Sequence, residues 1–151
     1  MRREFENLRK RYEKLMQKGE RRIVKGYKAA LEDLRELIGE AYTKYETDGK
    51  LTYAEMAKYK RMIVLYKTMD IIVQRLYKTT SKQISEVLKE DYLLGYNAMR
   101  NIVKTHAGKS IIPIVKDEVL KRAMYNDISG LRWTDRMNLH RDFAVMKIRE
   151  T

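Results

Sequence analysis

Cysteine is absent from the 151 residues, so neither a disulfide nor a thiolate metal site can be built. Proline occurs once and glycine seven times, which leaves little material for turns. No apolar run approaches the roughly 20 residues that a membrane-spanning helix needs. The longest, Ile63-Val64-Leu65 and Ile71-Ile72-Val73, sit among charges. The basic N-terminus, MRREFENLRKRYEK, has no apolar stretch after it and does not read as a secretory signal. Histidine occurs only as His106 and His140, neither with a convincing second metal ligand three or four residues away. G-x-S-x-G, P-loop and G-x-G-x-x-G motifs are missing. These absences point to a protein that is not an enzyme, with no catalytic residues, no metal, no cofactor and no membrane partner.

What is present favours helix. Charged residues make up 36% of the chain, and Ala, Leu, Glu, Lys, Arg and Met are frequent. The length suits one domain with one modest core. Net charge is +12 and uneven: residues 1–30 hold 11 Lys/Arg against 4 Asp/Glu. A polyanion partner follows from this, either nucleic acid or an acidic protein surface.

Two long helical seams can be traced. The first runs Leu8, Tyr12, Leu15, Gly19, Ile23, Tyr27, Ala30, Leu34, Ile38, Ala41, Tyr45. Its ten steps cover 37 residues, or 3.7 per turn, with no phase change at Gly19 or Gly26. One helix over about residues 2–46 is expected, with Gly19 allowing close backbone approach. The second seam runs Met56, Tyr59, Ile63, Tyr66, Asp70, Val73, Tyr77, Thr80, Ile84, Leu88, Tyr92, Gly95, Met99, Val103. Helix should then hold to about Lys104, with Thr79-Thr80-Ser81 as the place for a kink. Gly108 and Pro113 stop it. A short helix over Val115–Tyr125 and a last one over Asp135–Arg149, capped by Thr134, complete the chain. The expected fold is all-α: an antiparallel hairpin of two long helices over residues 1–107, continuous with short C-terminal helices and a partner-binding turn over 108–151.

The connecting stretch KYETDGKLTYAEM (Lys44–Met56) resembles a calcium loop. With Asp48-Gly49 at loop positions 5 and 6, Glu55 falls at position 12, but Lys44 stands where the first ligating carboxylate belongs. A structural reading accounts for the same residues. Thr52 is placed at the N-cap of the second long helix and Glu55 at N3, a capping box, with Leu51 and Met56 as a hydrophobic staple. Asp48-Gly49 then supplies the turn that ends the first helix. This reading requires no calcium.

Arg11, Lys14, Lys18, Arg22, Lys25 and Lys28 recur every three or four residues beside the first seam. Such a stripe can follow a phosphate backbone, or it can be an ordinary solvated helix face; the sequence leaves both open. The eleven tyrosines could stack on bases, but most lie in the seams and read as core.

The C-terminal third carries the most specific pattern, DISGLRWTDRMNLHRD (Asp127–Asp142). It looks like a Gly turn and an aromatic residue followed by Ser/Thr-Asp-Arg opening a helix. With DGKLTYAEMAKYKRM and VLKEDYLLGYNAM before it, the chain from about Tyr27 onward resembles the N-terminal helical region of tailed-phage minor head proteins. This is the head-morphogenesis family related to the Mu-type minor head protein. The resemblance implies a low-copy, portal-associated protein of the virion head interior, assembled in the host cytoplasm and involved with DNA packaging or delivery. It implies that Ser129, Gly130, Trp133, Thr134, Asp135 and Arg136 are structural or partner-binding residues. Family members usually continue into a further domain. The chain therefore reads as a fragment, a truncated prophage copy that interferes with assembly, or a stand-alone paralogue. The leading expectation is a structural protein that binds the portal or another head component. The alternative is a helical protein that binds nucleic acid without reading sequence. Self-association is left open by the long seams.

Overall fold

The computed structural model describes residues 2–109, 112–126 and 131–150. The described residues form α1 (Arg2–Tyr45), α2 (Tyr53–Ala57), a 3-10 turn (Lys58–Lys60), α3 (Arg61–Ala107), α4 (Asp117–Met124) and α5 (Trp133–Glu150). No strand occurs among them. The chain divides into two units, Met1–Ile23 with Ser81–Thr134 and Val24–Thr80 with Asp135–Thr151. In each unit a segment of α1 runs antiparallel to a segment of α3, so the all-α helical hairpin is the observed architecture. In the first unit the approaches are Tyr12 to Gly95, Gly19 to Val87 and Arg22 to Glu86. In the second they are Gly26 to Leu76 and Tyr27 to Tyr77.

The inward face of α1 follows an eleven-residue repeat. The residues not exposed are Glu4, Leu8 and Tyr12, then Leu15, Gly19 and Ile23, then Gly26, Ala30 and Leu34, then Leu37, Ala41 and Tyr45. Eleven residues in three turns is about 3.67 per turn, near the helical 3.6, so a long helix keeps one face inward with little distortion. The expected seam is corrected at two places. Gly26 and Leu37 face inward, whereas Tyr27 and Ile38 are 43% and 47% exposed. Tyr27 is the larger apolar neighbour of Gly26, whereas Leu37 and Ile38 are isomers of equal size, so apolar bulk does not mark the inward position at either place.

α3 repeats in the same way through Met62, Leu65, Met69, Val73, Leu76, Thr80, Ile84, Val87, Asp91, Gly95, Ala98 and Ile102, none of which is exposed. Here the expected seam is corrected at Tyr59, Ile63, Leu88 and Met99, all of which are exposed. Helix α3 is assigned without interruption through Thr79–Ser81, and Thr80 is buried.

The phase error has a local cause. The second long helix does not begin at Thr52. Thr52 caps the five-residue α2, and the long helix begins at Arg61. Between them Tyr59 and Lys60 have φ of 52° and 58°, left-handed conformations that L side chains rarely adopt. If the α3 repeat continued toward the N-terminus, Lys58 would lie on the inward line and Met56 would turn away. The break reverses this: Met56 is buried and Lys58 exposed. Two left-handed residues cost about 1–2 kcal/mol each, an amount comparable to the roughly 1.5–3 kcal/mol from burying one methionine.

The turn before α2 differs in kind from the expected helix stop. α1 ends at Tyr45, and Thr47 and Lys50 exchange both backbone hydrogen bonds, at 3.0 and 3.1 Å. Asp48 and Gly49 both have positive φ. This is the two-residue Asp-Gly hairpin turn, whose backbone demands a left-handed conformation twice.

In the first unit α3 ends on Gly108, which has φ of 70°. Two α3 side chains hold the return segment: Tyr96 donates to the Pro113 carbonyl at 2.8 Å, and Arg100 to that of Ile112 at 3.1 Å. Leu120 of α4 is buried in this unit. Helix α5 begins at Trp133, so Thr134 lies in its first turn and is not its N-cap, while Asp135 does stand in that first turn.

Candidate interaction surfaces

The first unit presents a basic surface on the outward side of α1. At 100° per residue, Arg3, Lys10, Arg11, Lys14, Lys18 and Arg21 fall within one flank of about 100°, and all six are exposed. No carboxylate shares this flank. Glu6, Glu13 and Glu20, spaced by seven, lie on the neighbouring flank. Arg22 is different: it points toward the seam and lies 3.9 Å from Glu86. The sequence stripe thus keeps Arg11, Lys14 and Lys18 in this unit and loses Arg22 to an ion pair. Arg3, Lys10 and Arg21 join it, and the signal that identifies them is the separation of acids from bases around the helix. In the second unit Lys25 and Lys28 of α1 are exposed.

Beneath that surface the first unit is closely packed. A Cβ on Gly19 would lie 2.8 Å from a Val87 methyl group, and one on Gly95 would lie 2.1 Å from the Tyr12 hydroxyl. That hydroxyl donates to the Asp91 carbonyl at 3.4 Å. Burial, and then the Asp91 charge, push the Tyr12 hydroxyl up. Burial pushes the Asp91 carboxyl up as well. His106 Nε2 lies 3.6 Å from Glu4 Oε2.

The stretch that resembles a calcium loop belongs to the second unit. Thr52 has extended backbone, and its hydroxyl accepts from the Glu55 N–H at 3.3 Å. The Glu55 carboxylate does not close the box onto Thr52. It pairs with Lys58, and its other oxygen lies 3.4 Å from Arg61, so it ties the start of α3 to α2 across the break. The Lys58 hydrogen bond, reinforced by the charges of Lys58 and Arg61, holds the Glu55 carboxyl below its ordinary range against a smaller opposing effect of desolvation. Arg61 also stacks over Tyr45, 4.2 Å from the ring centre. No group of three or more His, Asp or Glu able to hold a metal occurs among the described residues.

Ser129 and Gly130 of the C-terminal motif lie outside the described residues. Trp133 is half-buried in the first unit: its indole N–H donates to the Met124 carbonyl at 3.1 Å, and its ring stacks on Tyr125 at 6.2 Å. It thereby satisfies one of the orphan carbonyls at the end of α4. Thr134 is half-buried, and Asp135 and Arg136 are exposed.

No family model matches the sequence, and no solved structure matches it. Among curated proteins the chain is similar to the minor head protein GP7 of Bacillus phage SPP1, 31% identical over 127 residues. The match covers 82% of this chain and 40% of that relative, so the chain spans about two fifths of the length of the protein it matches. Over those residues the chain is related to a tailed-phage minor head protein, in agreement with the resemblance drawn from its motifs.

Proposed function

We propose that this chain is a structural component of a tailed-phage head that docks through its helical surfaces onto the portal or another head component. The observation that carries the reading is the 31% identity to a minor head protein across 82% of the chain. On this reading it acts by occupying a place in an assembly and not by turning over a substrate. It is made in the host cytoplasm and ends in the head interior. The test is co-purification from an infected or induced lysate. The expected result is that the tagged chain retains the portal protein or another head protein through a high-salt wash. Recovery with no head component at all would overturn the reading.

A second reading is favoured by the acid-free basic flank on α1. We infer that Lys10, Arg11, Lys14, Lys18 and Arg21 contact DNA phosphates without reading base sequence. A head protein next to packaged DNA meets both partners, so the two readings are compatible.

A further inference from the structure

We propose that the junction between α2 and α3 is a two-position switch. The observed broken form exchanges with a straight form in which one helix runs from Tyr53 to Ala107. The starting observation is a conflict within the second unit. Tyr53 to Lys60 contains neither glycine nor proline, and Thr52 already caps the first turn. No residue type in that stretch ends a helix. Yet three successive residues leave the helical path: Lys58 has ψ of 138°, and Tyr59 and Lys60 have φ of 52° and 58°. Strain of this kind persists only where surrounding contacts hold it.

Two side chains hold it. Met56 is buried. Arg61 donates to the Glu55 carbonyl at 3.2 Å and reaches its carboxylate at 3.4 Å. In a continuous helix that same carbonyl would accept the Tyr59 N–H, four residues on. The carbonyl thus has a donor in either form, and straightening leaves no orphan acceptor. The Glu55–Lys58 pair, three residues apart, also fits a helix. Straightening therefore gives up the Met56 burial and the Arg61 contacts, and it relieves two left-handed residues. These opposing quantities are of similar size, which sets the straight form at roughly 0.1–10% of molecules.

The straight form presents a different surface. Eight more helical residues lengthen α3 by about 12 Å. On the continued α3 repeat Lys58 joins the inward line and Met56 turns to solvent. The connection to α1 permits this. An advance of about 12 Å across a helix spacing of about 10 Å needs about 16 Å, and residues 46–52 reach about 23 Å when extended. A partner that takes up Met56 draws the balance toward the straight form. The inference does not rest on the head role and is tested on the purified chain.

The chain lacks cysteine, so spin labels attach only where cysteine is introduced. Tyr53→Cys and Arg75→Cys replace exposed residues, which along one straight helix stand about 33 Å apart. The broken form leaves that axis and gives another distance. Double electron–electron resonance on the whole chain should show the broken form as the main component. Met56→Gln removes the apolar burial and Arg61→Ala removes the clamp. Each should raise the component near 33 Å about tenfold. Tyr59→Gly should lower that component in either background, because glycine relieves the broken form and disfavours the helix. A second label pair, Lys28→Cys with Lys67→Cys, should keep its distance and so report that the unit remains folded. The two variants act through different contacts, so loss of fold in one leaves the other decisive. If no component near 33 Å rises, or if the distances only broaden, the proposal is overturned. A rising component that Tyr59→Gly does not lower would overturn it as well.

Discussion

At the scale of single residues, the glycines of this chain divide by what stands opposite them. Gly95 faces the Tyr12 hydroxyl closely enough that any Cβ must displace it. Gly39 has nothing within 4 Å. Gly39→Ala should therefore raise stability by about 1 kcal/mol, the ordinary gain in an exposed helix interior. Gly95→Ala should lower it by about 1–3 kcal/mol, as overpacking does. Removing the hydroxyl with Tyr12→Phe should relieve part of that loss, so the double variant is less destabilised than the sum of the singles. Chemical denaturation of the four proteins checks this.

Two carboxylates behave oppositely with pH. The folded-state pKa of Asp91 is raised by burial, so its charge costs stability above that pKa, and the cost disappears as pH falls below the unfolded value of about 3.9. The folded-state pKa of Glu55 is lowered by Lys58 and Arg61. Its contribution is present above the unfolded value and is lost as pH falls through the lowered one. Asp91→Asn should accordingly raise the melting temperature at pH 7, and Glu55→Gln should lower it. Both differences should shrink toward zero in acid. Melts between pH 2.5 and 7 separate the two signs.

At the scale of elements, the break between α2 and α3 was the feature least legible in the sequence. The stretch from Tyr53 to Lys60 contains neither glycine nor proline, and a helical reading runs straight through it. The break is tertiary in kind: it trades local backbone preference for burial of Met56, and propensity alone does not report such an exchange. Helix existence was legible because the seams are long, and Asp48-Gly49 marked the turn. Phase was harder to read, since small inward residues such as Gly26 leave a larger neighbour, Tyr27, as the stronger apolar signal. The charge stripe on α1 was legible as a repeat, but Arg22 could not be separated from it without seeing Glu86. The break makes its own prediction. Tyr59→Gly and Lys60→Gly should each stabilise the protein, by up to about 1 kcal/mol, because glycine adopts positive φ without a Cβ penalty. In an uninterrupted helix the same changes would destabilise by a similar amount. The sign of the shift in denaturation midpoint therefore decides whether the break exists in solution.

At the scale of the whole molecule, the net charge of +12 is divided unequally. The first unit holds 18 Lys/Arg against 10 Asp/Glu, and the second holds 15 against 11. Net charge of this size draws the chain toward any polyanion, so retention on DNA at low salt would not by itself identify a binding surface. The salt dependence does. Each phosphate neutralised by a specific cation steepens the fall of log affinity with log salt by about 0.9 on duplex DNA. If Arg11, Lys14 and Lys18 each touch phosphate, replacing all three with Glu should flatten that slope by roughly 2.7 and weaken binding alike on unrelated sequences. A control reversal that removes the same charge elsewhere, at the exposed Lys67, Arg75 and Lys78 of α3 in the second unit, should lower the affinity less and leave most of the slope in place. Equal slopes in the two triple variants would mean that the protein responds to total charge alone, and that the acid-free flank of α1 is a solvated face.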